Sequence, residues 1–309
     1  MSHRFAFIGI AGKPNVGKST LINALIGKKI AITSDKAQTT RHRILGVKTT
    51  PDFQLVFVDT PGIHESKHIL NQTIVKTANQ ALLDVDVLCW VVDRKKHPTD
   101  HKLYQSFQSL GIPLILVINK IDTLKSKTDI DQLIMSYLSL GHFDAVIPIS
   151  AKEKTHLNQL EQELLQHAYE EQPMFPEDYQ SDQKEHQIMS EWIREKILTL
   201  TQEEVPHAVA VVIEHIEDNT KQKTLDIRAL IVVERESQKK ILIGKQGAKL
   251  KEIGTLARLD LNKTFNRKVH LELWIKVKKD WRNKMQDVMR FGYGETRVPS
   301  RQIQITEEP

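Results

Sequence analysis

A chain of 309 residues is long for one ordinary domain and suits two. Its 40% hydrophobic and 27% charged residues exclude wholesale disorder, and its single cysteine, Cys89, excludes an internal disulfide or a cysteine-rich metal knuckle. The net charge of +5 is uneven: between Lys239 and Arg301 seventeen Lys/Arg stand against six Asp/Glu, an excess that points to a polyanion, nucleic acid above all, as partner of the C-terminal part.

Short aliphatic runs at Phe5–Ile10, Leu55–Asp59, Val87–Asp93, Leu114–Asn119 and Ala145–Ile149 predict strands buried on both faces, as in a parallel sheet. Between them Ser19–Ile26, Lys67–Leu83, Asp100–Leu110, Asp129–Leu140 and His156–Tyr169 read as helices, which gives an α/β doubly wound domain. Ile44–Thr50 and Phe53–Asp59, joined by Pro51-Asp52, predict a hairpin and so one antiparallel edge strand. The acidic, proline-bearing stretch Gln172–Asp182 reads as a linker. Beyond it come a helix (Glu185–Leu200), strands (Ala208–Ile216 and Thr224–Glu234), a glycine turn with two helices reaching Phe265, and a strand (Val269–Lys278). That order is αββααβ, a small α+β domain. The expected division is 1–172, a linker over 173–184, a second domain over 185–295, and a tail over 296–309 with no assigned role. No apolar run approaches the roughly 18 residues of a membrane span, and the start lacks a secretory h-region, so a cytoplasmic protein is expected.

Gly12-Lys13-Pro14-Asn15-Val16-Gly17-Lys18-Ser19 fits G-x-x-x-x-G-K-[ST] between a strand and a helix. The glycines let backbone N–H groups turn toward phosphate oxygens, and the helix N-terminus adds its positive dipole end. Lys18 is placed to reach the β- and γ-phosphates, and the Ser19 hydroxyl to bind Mg²⁺. Asp59-Thr60-Pro61-Gly62 closes a strand; its carboxylate suits Mg²⁺ through water, and the Gly62 amide suits the γ-phosphate. Asn119-Lys120-Ile121-Asp122 ends another strand, where the Asp122 carboxylate can accept from guanine N1–H and the 2-amino group. Adenine offers neither donor. Ser150-Ala151-Lys152 ends the next strand and brings a backbone amide toward guanine O6.

These four segments resemble the G motifs of translation-factor-class GTPases, and the spelling from Gly12 to Thr20 resembles their Era-type branch. The resemblance implies a P-loop, Ras-like G domain that binds GTP and GDP with Mg²⁺. Gln38-Thr39-Thr40-Arg41-His42-Arg43 is similar to that family's first switch, whose threonine binds Mg²⁺ in the GTP state; the role is carried to Thr40, with Thr39 the competitor. Lys18, Thr40 and Gly62 are then the groups expected to act on the γ-phosphate. Ras-like enzymes place a water-orienting glutamine after Asp-x-x-Gly; here Ile63 stands in that place, which implies slow unaided hydrolysis. A binding module without meaningful turnover is therefore the competing expectation. In related members the P-loop asparagine, Asn15 here, helps hold a K⁺ ion near the phosphates. His64-Glu65-Ser66-Lys67-His68 formally spells the zinc-peptidase pattern H-E-x-x-H, but a zinc peptidase needs it on a buried helix with a third ligand, and here it follows Gly62 inside a switch with polar residues between the histidines, so no zinc site is expected.

In the basic half, Ile243-Gly244-Lys245-Gln246-Gly247 carries G-x-x-G, with Lys249 and Lys251 following. Within αββααβ this is the order of a type II KH fold, whose loop clamps nucleic-acid backbone. Lys276–Arg282, Phe291-Gly292-Tyr293 and Phe175–Tyr179 are similar to further Era-type segments, so the resemblance spans about 4 to 294. It implies binding of the 3′ end of 16S rRNA during 30S ribosomal subunit assembly, and peripheral association with the inner membrane; no obligate oligomer is expected.

Overall fold

The computed structural model describes residues 3–36, 39–62, 68–74, 82–220 and 223–293. The N-terminal half is built on a sheet of strands β1 (Arg4–Ala11), β2 (Ile44–Thr49), β3 (Phe53–Asp59), β4 (Val87–Val92), β5 (Leu114–Ile118) and β6 (Ala145–Pro148), ordered β2-β3-β1-β4-β5-β6. All neighbours run parallel except β2, which pairs antiparallel with β3 from Ile44 opposite Asp59 to Thr49 opposite Gln54. The alternation along β4 shows why these runs are apolar throughout. Cys89 and Val91 pack into one core with helices α1 (Lys18–Ile26) and α4 (Leu157–Gln166). Leu88, Trp90 and Val92 face the other, with α2 (Asp100–Gln108) and α3 (Lys127–Leu138). Cys89 is fully buried and its thiol is pushed up to about 12 by burial, an inert packing group. The expected helix over Lys67–Leu83 is present in residues 69–74; the remainder lies partly outside the described residues.

Two features differ from the sequence expectation. The helix expected to reach Tyr169 stops at Gln166, and Tyr169–Glu170 forms a short strand β7 antiparallel to Arg4 and Phe5. The expected linker is a strap fastened along the sheet edge. The buried amide of Gln54 accepts from the backbone of Met174 and Phe175 (2.8 and 2.9 Å) and donates to the Phe175 carbonyl (2.9 Å). Asp182 then accepts from the Leu45 amide (2.9 Å) and from Arg43 (2.7 Å). Its single acidic run reads as solvated linker because its partners, Gln54, Leu45 and Arg43, are all more than a hundred residues away.

The C-terminal half has helices α5 (Glu185–Leu200) and α8 (Ala248–Phe265) on a three-stranded sheet of β8 (Ala210–Asn219), β9 (Thr224–Val233) and β10 (Lys268–Val277), with short helices α6 (Val205–Ala208), α7 (Glu236–Ile243) and α9 (Met285–Arg290). β9 is central, antiparallel to β8 and parallel to β10. Trp192, Ile193 and Ile197 of α5 meet Ile253, Ala257 and Leu261 of α8 over Ile227 and Ile231. The Trp192 indole N–H donates to Thr264 Oγ1 (2.8 Å), which satisfies its polar edge. Among the described residues, no helix is long and apolar enough to cross a membrane.

Candidate nucleotide site and nucleic-acid interface

The phosphate loop leaves β1 and enters α1. Gly17 takes φ 94°, and a Cβ there would lie 2.3 Å from Asn119 Nδ2, so glycine alone lets the loop pass this close to the strand end behind it. Lys18 is buried, its ammonium donating to the carbonyls of Gly12 and Lys13 (3.1 Å each). Burial lowers its pKa to about 8, against the attraction of Asp59. The Lys13 side chain turns the other way, to the buried carboxylate of Asp100 (2.6 Å) at the start of α2, where His97 N (2.8 Å) and Tyr137 OH (3.2 Å) also donate. Lys13 thus serves the loop through its backbone. Asp100 was not singled out in the sequence; its only signal is an acid at a helix start.

Ser19, Thr40 and Asp59 converge. Ser19 Oγ donates to Asp59 Oδ2 (2.9 Å) and lies 2.8 Å from Thr40 Oγ1. Asp59 is fully buried, and its other oxygen, Oδ1, has no hydrogen-bond partner. The Thr39 hydroxyl instead donates to the Lys36 carbonyl (2.6 Å), so of the two threonines Thr40 faces the cluster. Hydroxyls and an orphaned carboxylate oxygen, hard donors throughout, fit Mg²⁺. Burial raises the Asp59 carboxyl to about 6, with Lys18 pulling the other way. Because the raised pKa favours the protonated acid below about 6, a proton and Mg²⁺ compete there. Apparent Mg²⁺ affinity should hold above pH 7 and fall about tenfold by pH 5, read from Mg²⁺ titrations of the GTP-loaded protein; a flat profile would contradict this. Thr60 anchors the strand end by donating to the Ile10 carbonyl (2.8 Å), and Pro61 and Gly62 follow beside Pro14.

On the base side, Asn119 joins three loops. Its Nδ2 donates to the Val16 carbonyl (2.9 Å), and its Oδ1 accepts from the amides of Lys120 (2.8 Å) and Ala151 (3.0 Å). Lys120 sits at φ 64° and its ammonium meets Asn15 O (2.5 Å) and Asp93 Oδ2 (2.7 Å), a second tie to the phosphate loop. Asp93, at the end of a predicted strand, is another functional residue the motifs do not reveal. Asp122 lies in the exposed turn Ile121–Thr123, one oxygen held by Ser150 Oγ (2.5 Å). Lys152 is exposed and 3.4 Å from Glu153. A cleft of about 300 Å³ lies over the phosphate loop, bounded by Pro14, Gly17, Thr20, Thr39, Thr40, Gly62 and, toward the base side, Lys120. Asn15 takes φ 66° and its Nδ2 donates to the Asp35 carbonyl (2.6 Å). Gln38, Ile63 and His64–Lys67 lie outside the described residues, while His68 Nδ1 is 2.9 Å from Asn283 Oδ1.

In the C-terminal half the glycine loop joins α7 to α8. Gly244 takes φ 70° with a Cβ position 2.8 Å from Lys249 Cβ, so the tight turn requires glycine. Lys245, Gln246 and Lys251 are exposed at or beside the tip, with Ile243 half-buried at its base. The Lys249 ammonium donates to the Leu200 carbonyl (3.0 Å) at the end of α5.

The two halves meet at the first switch. Arg41, 2% exposed, donates to the carbonyls of Val209 (2.6 Å), Pro206 and His207 (3.2 Å each). His42 stacks on Tyr293 with ring centroids 5.0 Å apart. Leu70 and Ile74, in the helical segment 69–74, pack with Trp281, Val288 and Tyr293.

A P-loop domain with an Asn-Lys-x-Asp strand end, followed by αββααβ with a glycine loop, defines a Ras-like GTPase joined to a KH domain. Residues 7–120 match the family described as 50S ribosome-binding GTPase, and residues 204–282 match the KH domain family. The chain is 45% identical over 294 residues to GTPase Era of Heliobacterium modesticaldum, covering 94% of this chain and 98% of that relative. It superposes with a TM-score of 0.91 on a tyrosine-to-alanine variant of Aquifex aeolicus Era bound to GDP and AlF4⁻, at 41% identity over 94% of this chain and 99% of that one. A second Era structure, in complex with MgGDPNP and nucleotides 1506–1542 of 16S ribosomal RNA, matches with a TM-score of 0.92 at the same identity and coverage. The chain belongs to the Era family of GTPases, and hydrolysis of GTP to GDP and phosphate is the reaction its cleft performs.

Proposed function

We propose that the protein is a GTP-operated switch that grips the single-stranded 3′ end of 16S rRNA with its KH loop during 30S subunit assembly. The carrying observation is that both nucleotide-responsive segments rest on the KH domain: Arg41 and His42 of the first switch, and Leu70 and Ile74 behind the second. A change at the γ-phosphate therefore alters the surface against which the RNA-binding domain is held. The Era structure bound to 16S rRNA supports the choice of RNA.

In this reading Lys18 and the loop amides hold the β- and γ-phosphates, while Asp122, Asn119 and the Ser150-Ala151-Lys152 turn select guanine. Ser19, Thr40 and Asp59 hold Mg²⁺, which when bound offsets phosphate charge as the bond to the γ-phosphate breaks. Thr40 closes the first switch over the cleft, and the Gly62 amide is assigned to the γ-phosphate. Asn15 is assigned to a K⁺ ion that adds to that charge compensation; equal single-turnover rates in K⁺ and Na⁺ would overturn this assignment. Hydrolysis is slow unaided, because Ile63 offers a reacting water no hydrogen bond. The domain limits 1–172 and 185–295, with the strap between, are the units we assign to these roles. The protein is placed in the cytoplasm, with peripheral contact to the inner membrane surface as a secondary, salt-sensitive interaction of its basic face.

The KH assignment has a local test. Gly247, at φ 79°, has nothing within 4 Å of its Cβ position, so Gly247→Asp adds a negative charge and backbone strain of about 1–2 kcal/mol without a clash. Combined with Gly244→Asp it should weaken binding of a 16S 3′-end oligonucleotide at least about tenfold while leaving GTP affinity unchanged. Normal RNA binding by the double variant would remove the glycine loop from the interface.

A further inference from the structure

Thr40 has chain neighbours on both sides that are held by the KH domain. On one side the Arg41 guanidinium is buried against the carbonyls at the end of α6. On the other, Arg194 of α5 donates through Nη2 to the Thr39 carbonyl. Arg194 is fully buried, and its guanidinium is held by Glu191, one turn earlier on α5, at 2.8 Å (Nε to Oε1) and 2.6 Å (Nη2 to Oε2). Burial works against this cation, but the Glu191 carboxylate, joined by Tyr293 and Glu195, leaves the guanidinium above its ordinary value. Arg41 beside it has no such dedicated partner, and burial lowers its pKa.

We propose that Arg194 is a positioning residue for GTP hydrolysis: by clamping the Thr39 carbonyl it keeps the Thr40 hydroxyl at the Ser19–Asp59 cluster, so that the KH domain completes the metal site from across the domain boundary. The inference rests on the reading of Thr40 as a Mg²⁺ ligand. Its physical basis is the Glu191 fork, which fixes the guanidinium plane so that one N–H remains aimed at a main-chain acceptor in the switch. A threonine hydroxyl that is free to drift by an ångström loses its place at a hard cation, whose oxygen ligands must lie at about 2.1 Å. The contact is also suited to being made and broken. Arg194 Nη1 and Arg41 Nε are buried without an acceptor, so the closed interface is not at its hydrogen-bonding optimum.

The test uses the full-length protein and compares parent, Arg194→Met, Arg194→Lys, Glu191→Gln and Thr40→Ala. Single-turnover GTP hydrolysis is followed across a Mg²⁺ titration, with GDP affinity and thermal unfolding measured alongside. Arg194→Met should lower the rate about ten- to hundredfold and raise the Mg²⁺ concentration at half-maximal rate, while GDP affinity stays within about twofold. Arg194→Lys, which can still donate to the Thr39 carbonyl, should recover part of the loss. If Arg194→Met does not fold, Glu191→Gln decides: a raised Mg²⁺ requirement supports the clamp and parental behaviour overturns it. A folded Arg194→Met with parental Mg²⁺ dependence overturns it as well. So does a loss shared equally by GDP binding and stability with no recovery by lysine. Thr40→Ala separates the two levels of the argument. If it leaves the Mg²⁺ requirement unchanged, the reading of Thr40 fails and the proposal with it; if it raises the requirement and Arg194→Met does not, the clamp alone fails.

Discussion

Lys18→Ala is expected to lower GTP and GDP affinity by at least about a hundredfold, the larger loss falling on GTP. Hydrogen bonds to charged groups contribute about 1.5–3 kcal/mol each, and Lys18 is placed to serve phosphate oxygens directly, so losing two such bonds corresponds to about 10²–10⁴ in Kd. The structure places the loss in the lower part of that range. Two of the three ammonium N–H groups already go to the Gly12 and Lys13 carbonyls, so reaching two phosphate oxygens gives up at least one of those contacts. The Lys18 pKa of about 8 keeps the ammonium largely cationic at pH 7, and a bound triphosphate raises that value further. Equilibrium titration with a fluorescent GDP or GTP derivative measures the loss, and retained RNA binding shows that the variant is folded. A change of less than about threefold would contradict the assignment.

Asp122→Asn should convert a guanine-selective site into one that prefers xanthine, with a change in relative affinity of about a thousandfold. Guanine offers N1–H and a 2-amino group, two donors that match two carboxylate oxygens. The amide of asparagine places a donor against the amino group and leaves one pair mismatched. Xanthine carries a carbonyl at that carbon, which the same amide can satisfy. Asp122 is exposed and tied only to Ser150 Oγ, at 2.5 Å, so the substitution should leave folding stability within about 0.5 kcal/mol. Competition of GTP and XTP for the variant, beside its unfolding midpoint, checks both statements. Unaltered guanine preference would mean that another group reads the base.

Where the chemistry lies in a contiguous backbone segment, it was legible in the sequence. The phosphate loop needs glycine at fixed spacing because phosphate is bound by main-chain amides, and the loop indeed has no room for a Cβ at Gly17. The hairpin of β2 and β3 and the αββααβ order were equally readable, since alternation and turn chemistry are local. What was not readable are the pairings across long stretches of chain. Asp93 holding Lys120, and Asp100 holding Lys13, are ordinary acids until the fold sets them behind the loop. Gln54 and Asp182 turn an apparent linker into a strap by the same route. Arg41 stood in the first-switch motif, yet nothing in its neighbours announces that its acceptors lie on Pro206, His207 and Val209. Arg194 reads as one more charge on an amphipathic helix. That the Lys249 ammonium meets the Leu200 carbonyl at the end of α5 was likewise invisible in the sequence.

The proposed switch couples nucleotide state to RNA grip through the segments lodged on the KH domain. The most direct test is binding of a short single-stranded RNA from the 16S 3′ end at fixed salt, with the protein loaded with a non-hydrolysable GTP analogue or with GDP. Binding should be at least about fivefold tighter in the GTP-like state, with, by linkage, an equal preference of the RNA-bound protein for the GTP analogue over GDP. Equal affinity in both states would contradict the coupling, whatever the strength of the RNA binding itself.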